Sequence, residues 1–319
     1  MTNYQVYKKT LSFSLVRFLV DLLAVVILGG LTVGGVFLGQ AIKSGAGALI
    51  GGIVGFILGI IAVEIITIFV GNRLKAAQIA MMVKGVDEGV LPESPYKEGK
   101  ALVKERFASL TLFFFVTNSI KGAFRQLGRS LTRIGGAVGG DAGEAVTSVI
   151  DSAVQTLIAY LCDCCLGWVF YRFDQNVAKS ACEGAGIFFK HGKTLFKNAG
   201  RIFGMGILSF LLIGGIFTGG FYALFYFGLQ NQFVNLMNQI FNEGGAPDVR
   251  IAMIVTAAVA GVIIWSILHS VLIRPFVLVG VLRNFIASGK ADVPSSAEFE
   301  LMAQKSPRFN KLLEKANQQ

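Results

Sequence analysis

The chain has 319 residues, of which 54% are hydrophobic and only 15% charged, and its mean hydropathy is +0.64. Soluble domains carry about 25% charged residues, so a water-soluble globule is excluded and lipid must be part of the solvent. The 29 Lys and Arg exceed the 19 Asp and Glu, for a net charge of +10; an inside-positive membrane protein explains that excess without a nucleic acid partner.

A helix needs roughly 20 apolar residues to cross the hydrocarbon core. The first run, 11–39, holds only Arg17 and Asp21 as charges. It is far longer than the roughly 7–15-residue apolar stretch of a signal peptide, so it reads as a span. The second run, 46–72, holds only Glu64. A third span is expected at 107–128, although it contains Lys121 and Arg125. A fourth, 145–171, encloses Asp151 and Asp163. The fifth, 203–229, has no charge, and the sixth, 251–273, has His269 as its one ionisable group. The expected fold is an all-α polytopic membrane bundle of about six transmembrane helices, one membrane domain over 1–319, with amphipathic interfacial helices added.

Charge placement orients these spans. Lys8 and Lys9 and the segments 73–106, 172–202 and 285–319 are rich in Lys and Arg, whereas the links 40–45 and 231–250 hold only Lys43 and Arg250. Cations collect on the cytoplasmic side, so both termini are expected there. The stretch 107–134 strains the scheme. Lys121, Arg125, Arg129 and Arg133 recur every fourth residue, with Ile120, Phe124, Leu127, Leu131 and Ile134 largely off that stripe. Such an amphipathic helix either lies in the interface with its basic face on headgroups or spans with that stripe toward a bundle interior. Parity favours a span that turns at Gly135–Gly140 into 145–171, because otherwise the basic segment 172–202 falls outside. Lys190, Lys193, Lys197 and Arg201, set among Phe188, Phe189 and Phe196, form a second basic amphipathic helix, expected to attract anionic lipid headgroups. Residues 231–250 read as an outer amphipathic helix or an extension of the fifth span.

Glycine gives the strongest local pattern. Gly47, Gly51, Gly55 and Gly59 repeat every fourth residue in the second run, and Gly30/Gly34 and Gly35/Gly39 do so in the first. Glycine at i, i+4 makes a groove that lets another helix approach closely, so these positions are helix-packing residues, within a hairpin or against a second subunit. Among charges, Arg17 is expected to be shared by Asp21 and Glu64, as a static ion pair or as a coupling site for protons or cations. A hairpin turning near 138 sets Arg125 level with Asp151 and Lys121 level with Gln155, with Asp163 further along the polar face. That pairing either neutralises buried charge or lines a hydrated path. Pro275 removes a helical hydrogen bond and kinks the last helix, or else marks its inner end with Arg274. Cys162, Cys164, Cys165 and Cys182 lack the paired spacing and histidines of a metal site, and read as small interface residues or acylation sites.

No phosphate loop, nucleophile elbow or zinc-binding histidine pair is present, so no enzyme activity and no cofactor is expected. The stretch from Cys164, Cys165 and Leu166 through Asn176, Gly186, Phe189, Phe196, Asn198 and Arg201 resembles the late part of choline transporter-like proteins, over residues 145–319. That family has more spans and a long external loop near its start, and this chain has neither. The resemblance implies solute transport, of a quaternary amine class. An aromatic cage for such a cation needs clustered Trp or Tyr, and Trp168 and Trp265 lie on separate helices, so no substrate residue is carried over. The expectation is an integral membrane transport protein, carrier or channel-like. The alternative is a non-transporting scaffold or assembly component, and a homo-oligomer suits both.

Overall fold

In hydrocarbon every backbone N–H and C=O must find its partner within the protein, and a helix does this within one segment. The computed structural model of the chain is helical in every regular element among the described residues. These are 1–42, 46–107, 110–135, 143–196, 198–241 and 248–318, with side chains described there except at 110, 127–135, 143–154, 192–196, 199 and 236–241.

In chain order, α1 (Asn3–Lys9) begins at a reciprocal cap between Thr2 and Gln5, which satisfies two otherwise orphaned N–H groups. Then come α2 (Leu11–Ile42), α3 (Ala46–Ile66), a π-turn at Thr67–Gly71, α4 (Asn72–Asp87), α5 (Pro95–Arg106), α6 (Leu110–Gly135) and α7 (Gly143–Tyr171). The chain continues with α8 (Val177–Phe196), α9 (Ala199–Ser209), a π-turn at Phe210–Gly214, α10 (Gly215–Ala223), a π-turn at Leu224–Gly228 and α11 (Gln230–Phe241). It ends with α12 (Val249–Leu268), a π-turn at His269–Ile273, α13 (Arg274–Ala291), α14 (Ser296–Lys305) and α15 (Pro307–Asn317).

The helices divide into two compact units, one made of 1–13, 73–203 and 275–319, the other of 14–72 and 204–274. Every Lys and Arg except Arg17, Lys43, Arg250 and Arg274 falls in the first; we call it the basic unit and the other the apolar unit.

Among the described residues four helical runs are long and apolar enough to cross a membrane: Leu11–Ile42, Ala46–Asp87, Gly200–Gly228 and Val249–Ala291. The expected spans at 107–128 and 145–171 are not among them. Among the described residues α5 and α6 qualify only jointly, as a pair bent by 89°, and α7 contributes the apolar stretch Gln155–Tyr171, the part of it whose side chains are described. The apolar face of α6 (Phe113, Val116, Ile120, Phe124) is buried in protein. Helix α15, polar apart from its buried Phe309 and Leu312, packs on α6 as well.

The apolar unit is built on close backbone approach. A Cβ on Gly35 would strike the Gly51 carbonyl oxygen, one on Gly39 that of Gly47, and one on Gly55 that of Leu31, so α2 and α3 meet backbone to backbone. Gly59 is crowded instead by Leu28. In the other helical pair, Gly261 of α12 accepts Thr218 of α10. Few of these side chains are buried; Leu19, Val26, Phe37, Leu49, Ile57 and Phe69 are among the many large apolar groups left exposed. The basic unit buries its own core instead: Met81, Met82, Trp168, Ile187, Phe285 and Phe309 are wholly enclosed. Gly289 takes the edge of Trp168, and a Cβ on Gly184 would meet the Cys165 Cα at 3.1 Å.

The hairpin register makes a sharp prediction. Gly51→Ala forces α2 and α3 apart and should destabilise the apolar unit by about 1–3 kcal/mol. Gly34→Ala, whose Cβ has nothing within 4 Å, should be nearly neutral in the isolated monomer. Thermal unfolding in mild detergent measures both.

Candidate functional site

The polar residues singled out in the sequence fall in both units. In the apolar unit, Arg17 and Asp21 sit one turn apart on α2, half-buried, and their charges interact. Glu64 does not join them. It is exposed on α3, with exposed Ile60, Ile61 and Ile65 around it, and makes no hydrogen bond or ion pair among the described residues. The glycine register explains the separation. With Gly35 opposite Gly51 and Gly39 opposite Gly47, Glu64 falls level with Leu22, five residues or about 7.5 Å along the axis from Arg17.

A second polar cluster links α9 and α12. Trp265 Nε1 donates to Ser209 Oγ at 3.2 Å, and Ser209 Oγ donates to the Gly206 carbonyl at 2.9 Å. Phe210 meets the Trp265 ring edge-on with centroids 5.0 Å apart, and the His269 ring lies 5.3 Å from the same indole. π-turns begin at Phe210 and at His269. The second ends just before Pro275, whose missing N–H leaves a carbonyl of the preceding turn to be satisfied otherwise.

In the basic unit, Asp163 is 4% exposed and pairs with Lys75 at 2.5 Å. Lys121 and Arg125 stand exposed on α6, as does Gln155 on α7, and no hydrogen bond joins Lys121 to Gln155. The expected partner of Arg125, Asp151, has its side chain outside the described residues, as do Arg129, Arg133 and the turn at 136–140. The structure thus divides the two charge constellations between the units. Of the expected headgroup ligands, Lys190 is held by Asp292 (2.8 Å) and Glu298 (3.2 Å), and Arg201 lies against Gly280. Lys193 and Lys197 are outside the described side chains.

The most elaborate polar site is one the sequence does not announce. Arg106, at the end of α5, donates to the carbonyls of Val169 (2.9 Å), Arg172 (2.6 Å) and Gln175 (2.8 Å) and to Ser180 Oγ (2.9 Å). Its guanidinium collects one carbonyl from the last turn of α7 and two from the link that follows, where positive charge is also favoured by the helix dipole. Burial pulls the Arg106 pKa below its usual value, yet a guanidinium starts so high that it stays charged. Next to it Glu183, 4% exposed, accepts from Trp168 Nε1 (3.0 Å) and Arg172 Nη1 (3.1 Å). Arg172 also donates to Asp174, holding that carboxyl below its usual range. In the sequence Arg106 is one of several cations before the amphipathic stretch that follows it, and nothing there sets it apart. Among the described residues the site is a structural brace in which each guanidinium nitrogen of Arg106 and Arg172 meets an acceptor of the chain itself, while the buried Gln175 Nε2 finds none.

The four cysteines are buried in the same region. Burial pushes the Cys165 thiol well above its usual value and the Cys182 thiol up to about 12. Thiols that far from ionisation are poor nucleophiles. Among the described residues no group of three His, Cys, Asp or Glu side chains is placed to hold a metal ion. Comparison of the chain with models of known protein families, with curated proteins and with solved structures gives no match.

Two outcomes are expected. Arg106→Ala leaves several buried acceptors without a donor and should cost about 3 kcal/mol of stability, with Arg106→Lys recovering part of it; chemical denaturation reads the difference. Iodoacetamide at pH 8 should label none of the four cysteines in the folded protein and all of them in SDS, as counted by intact mass.

Proposed function

We propose that the chain is a four-span membrane protein, with both termini and the basic unit cytoplasmic, and that it works as an oligomeric assembly component of its membrane rather than as an enzyme. The topology is supported by charge: the four chain transitions between the units, at 13/14, 72/73, 203/204 and 274/275, bracket the four apolar runs. Almost all Lys and Arg lie on the basic side of those transitions, as the inside-positive rule requires.

Glu64 carries the oligomeric reading. An ionisable group at the centre of a span costs about 2.5–3.5 kcal/mol or more when lipid surrounds it, and no described residue of the chain pairs with Glu64. A neighbouring subunit removes that cost by covering the residue. The α2 surface agrees: Gly29, Gly30 and Gly34 have nothing within 4 Å. Beside them runs an apolar groove of about 580 Å³ lined by α2 and α3.

Transport is the second reading, favoured by the interacting charges of Arg17 and Asp21 inside a span. The resemblance to choline transporter-like proteins points the same way. An assembled oligomer has room for a path that one chain lacks.

Mass measurement in nanodiscs tests the first reading. The wild type should be a defined oligomer, Glu64→Gln should weaken it, and a Gly30→Leu/Gly34→Leu double variant should shift it toward monomer. A monomeric wild type sinks the proposal. Solute flux into liposomes containing the purified protein, absent from protein-free liposomes, decides for transport.

A further inference from the structure

We propose that the face formed by α6 and α15 in the basic unit is a docking surface for anionic lipid headgroups. The inference goes beyond the assembly role and rests on the four-span reading only in that the spans hold this unit beside a bilayer.

The observation is like charge that the fold gathers without an ion pair among the described residues. Lys121 and Arg125 are exposed on α6, and Arg308 and Lys311 are exposed on α15. The two helices are fixed together: Ser306 Oγ donates to Gln126 Oε1 at 2.6 Å, and the Arg308 backbone N–H reaches the same oxygen at 3.4 Å. The aliphatic stem of Arg308 lies on Gly122, where a Cβ would meet its Cγ at 3.0 Å. A cation from near the C-terminus is thereby set beside Lys121 and Arg125. Lys315 extends the array, its ammonium 4.5 Å from the centre of the Phe115 ring.

None of Lys121, Arg125, Arg308 and Lys311 forms an ion pair among the described residues. The same unit neutralises other cations with care: Lys75 by Asp163, Lys84 by Glu98, Arg172 by Glu183, Lys190 by Asp292 and Glu298, and Lys290 by Asp87. The sequence withholds carboxylates from this face. No Asp or Glu occurs between Glu105 and Asp141, and Glu314, the one acid of α15, accepts a hydrogen bond from Asn310 within its own helix. Such an array repels itself until an anionic surface neutralises it. A leaflet carrying phosphatidylglycerol or phosphatidylserine is that surface, since each basic residue near it adds attraction. Tethering by the spans raises its effective concentration above that of any dissolved polyanion.

The test is amide exchange of the full chain in nanodiscs of phosphatidylcholine alone or mixed with phosphatidylglycerol. Segments 110–126 and 307–317 should exchange about tenfold more slowly in the anionic discs, with the difference lost at high salt. Lys121→Gln/Arg125→Gln/Arg308→Gln/Lys311→Gln should abolish the difference. Lys121→Gln/Lys311→Gln, which leaves the Arg308 stem on Gly122, should reduce it and guards against a folding defect in the fuller variant. Equal exchange in both lipids, or a difference that survives either set of substitutions at full size, overturns the proposal. So does stronger protection by single-stranded RNA added to phosphatidylcholine discs, which marks a nucleic acid face. Discs expose both leaflets, so this readout does not depend on sidedness; proteolysis of sealed vesicles tests that separately.

Discussion

Keeping cations out of hydrocarbon is the constraint on which the rest of this structure depends. A charge at the centre of a bilayer costs several kcal/mol, and the chain responds by sorting. Arg17, Lys43, Arg250 and Arg274 are the only Lys or Arg in the apolar unit. What remains there has to cohere without the hydrophobic effect, because lipid tails are as apolar as leucine. Close packing replaces it. The glycines of α2 and α3 bring two backbones into contact, where Cα–H groups can approach carbonyl oxygens and dispersion is strongest. The basic unit obeys the opposite rule, burying Trp168, Phe285 and Phe309 from water.

Sorting also determines how buried polarity is handled. In the basic unit each deeply buried carboxylate has a cation at hand, Asp163 with Lys75 and Glu183 with Arg172. Breaking one partner of such a pair would strand the other, so these residues are better read as braces than as chemistry. Arg106 serves backbone rather than side chains. By collecting carbonyls at the end of α7 it lets that helix stop inside protein, where water cannot supply the missing donors. Glu64 has no such arrangement, and that contrast gives it weight in the functional argument.

Much of this was legible in the sequence, and the exceptions have physical causes. Apolar length found 11–39, 46–72, 203–229 and 251–273, since spanning demands about 20 residues of one character whatever their neighbours. The i, i+4 glycines lie where α2 and α3 approach backbone to backbone, an approach that a Cβ would block. Two things were beyond reach. Pairing across distant helices, such as Lys75 with Asp163 or Arg106 with the end of α7, leaves no periodic trace. Level matching between helices is sensitive to register: a few residues' error in a hairpin turn moved Glu64 a full turn from Arg17.

The amphipathic helix α6 shows the limit most clearly, and also why the topology is robust to it. A hydrophobic stripe states that a face is buried but not whether protein or lipid buries it. Here protein does, with α7, α8 and α15 packed around α6. With 145–171 read as a crossing, 107–128 is needed as a second one, because a single crossing between 72 and 203 puts the basic segment 172–202 outside. Among the described residues neither stretch reaches span length by itself, and the count of about six is not confirmed. Dropping both removes an even number of crossings, so under the proposed topology Lys8 and Lys9 and the segments 73–106, 172–202 and 285–319 would still share one side. The charge rule would assign that side to the cytoplasm, equally for four spans and for six.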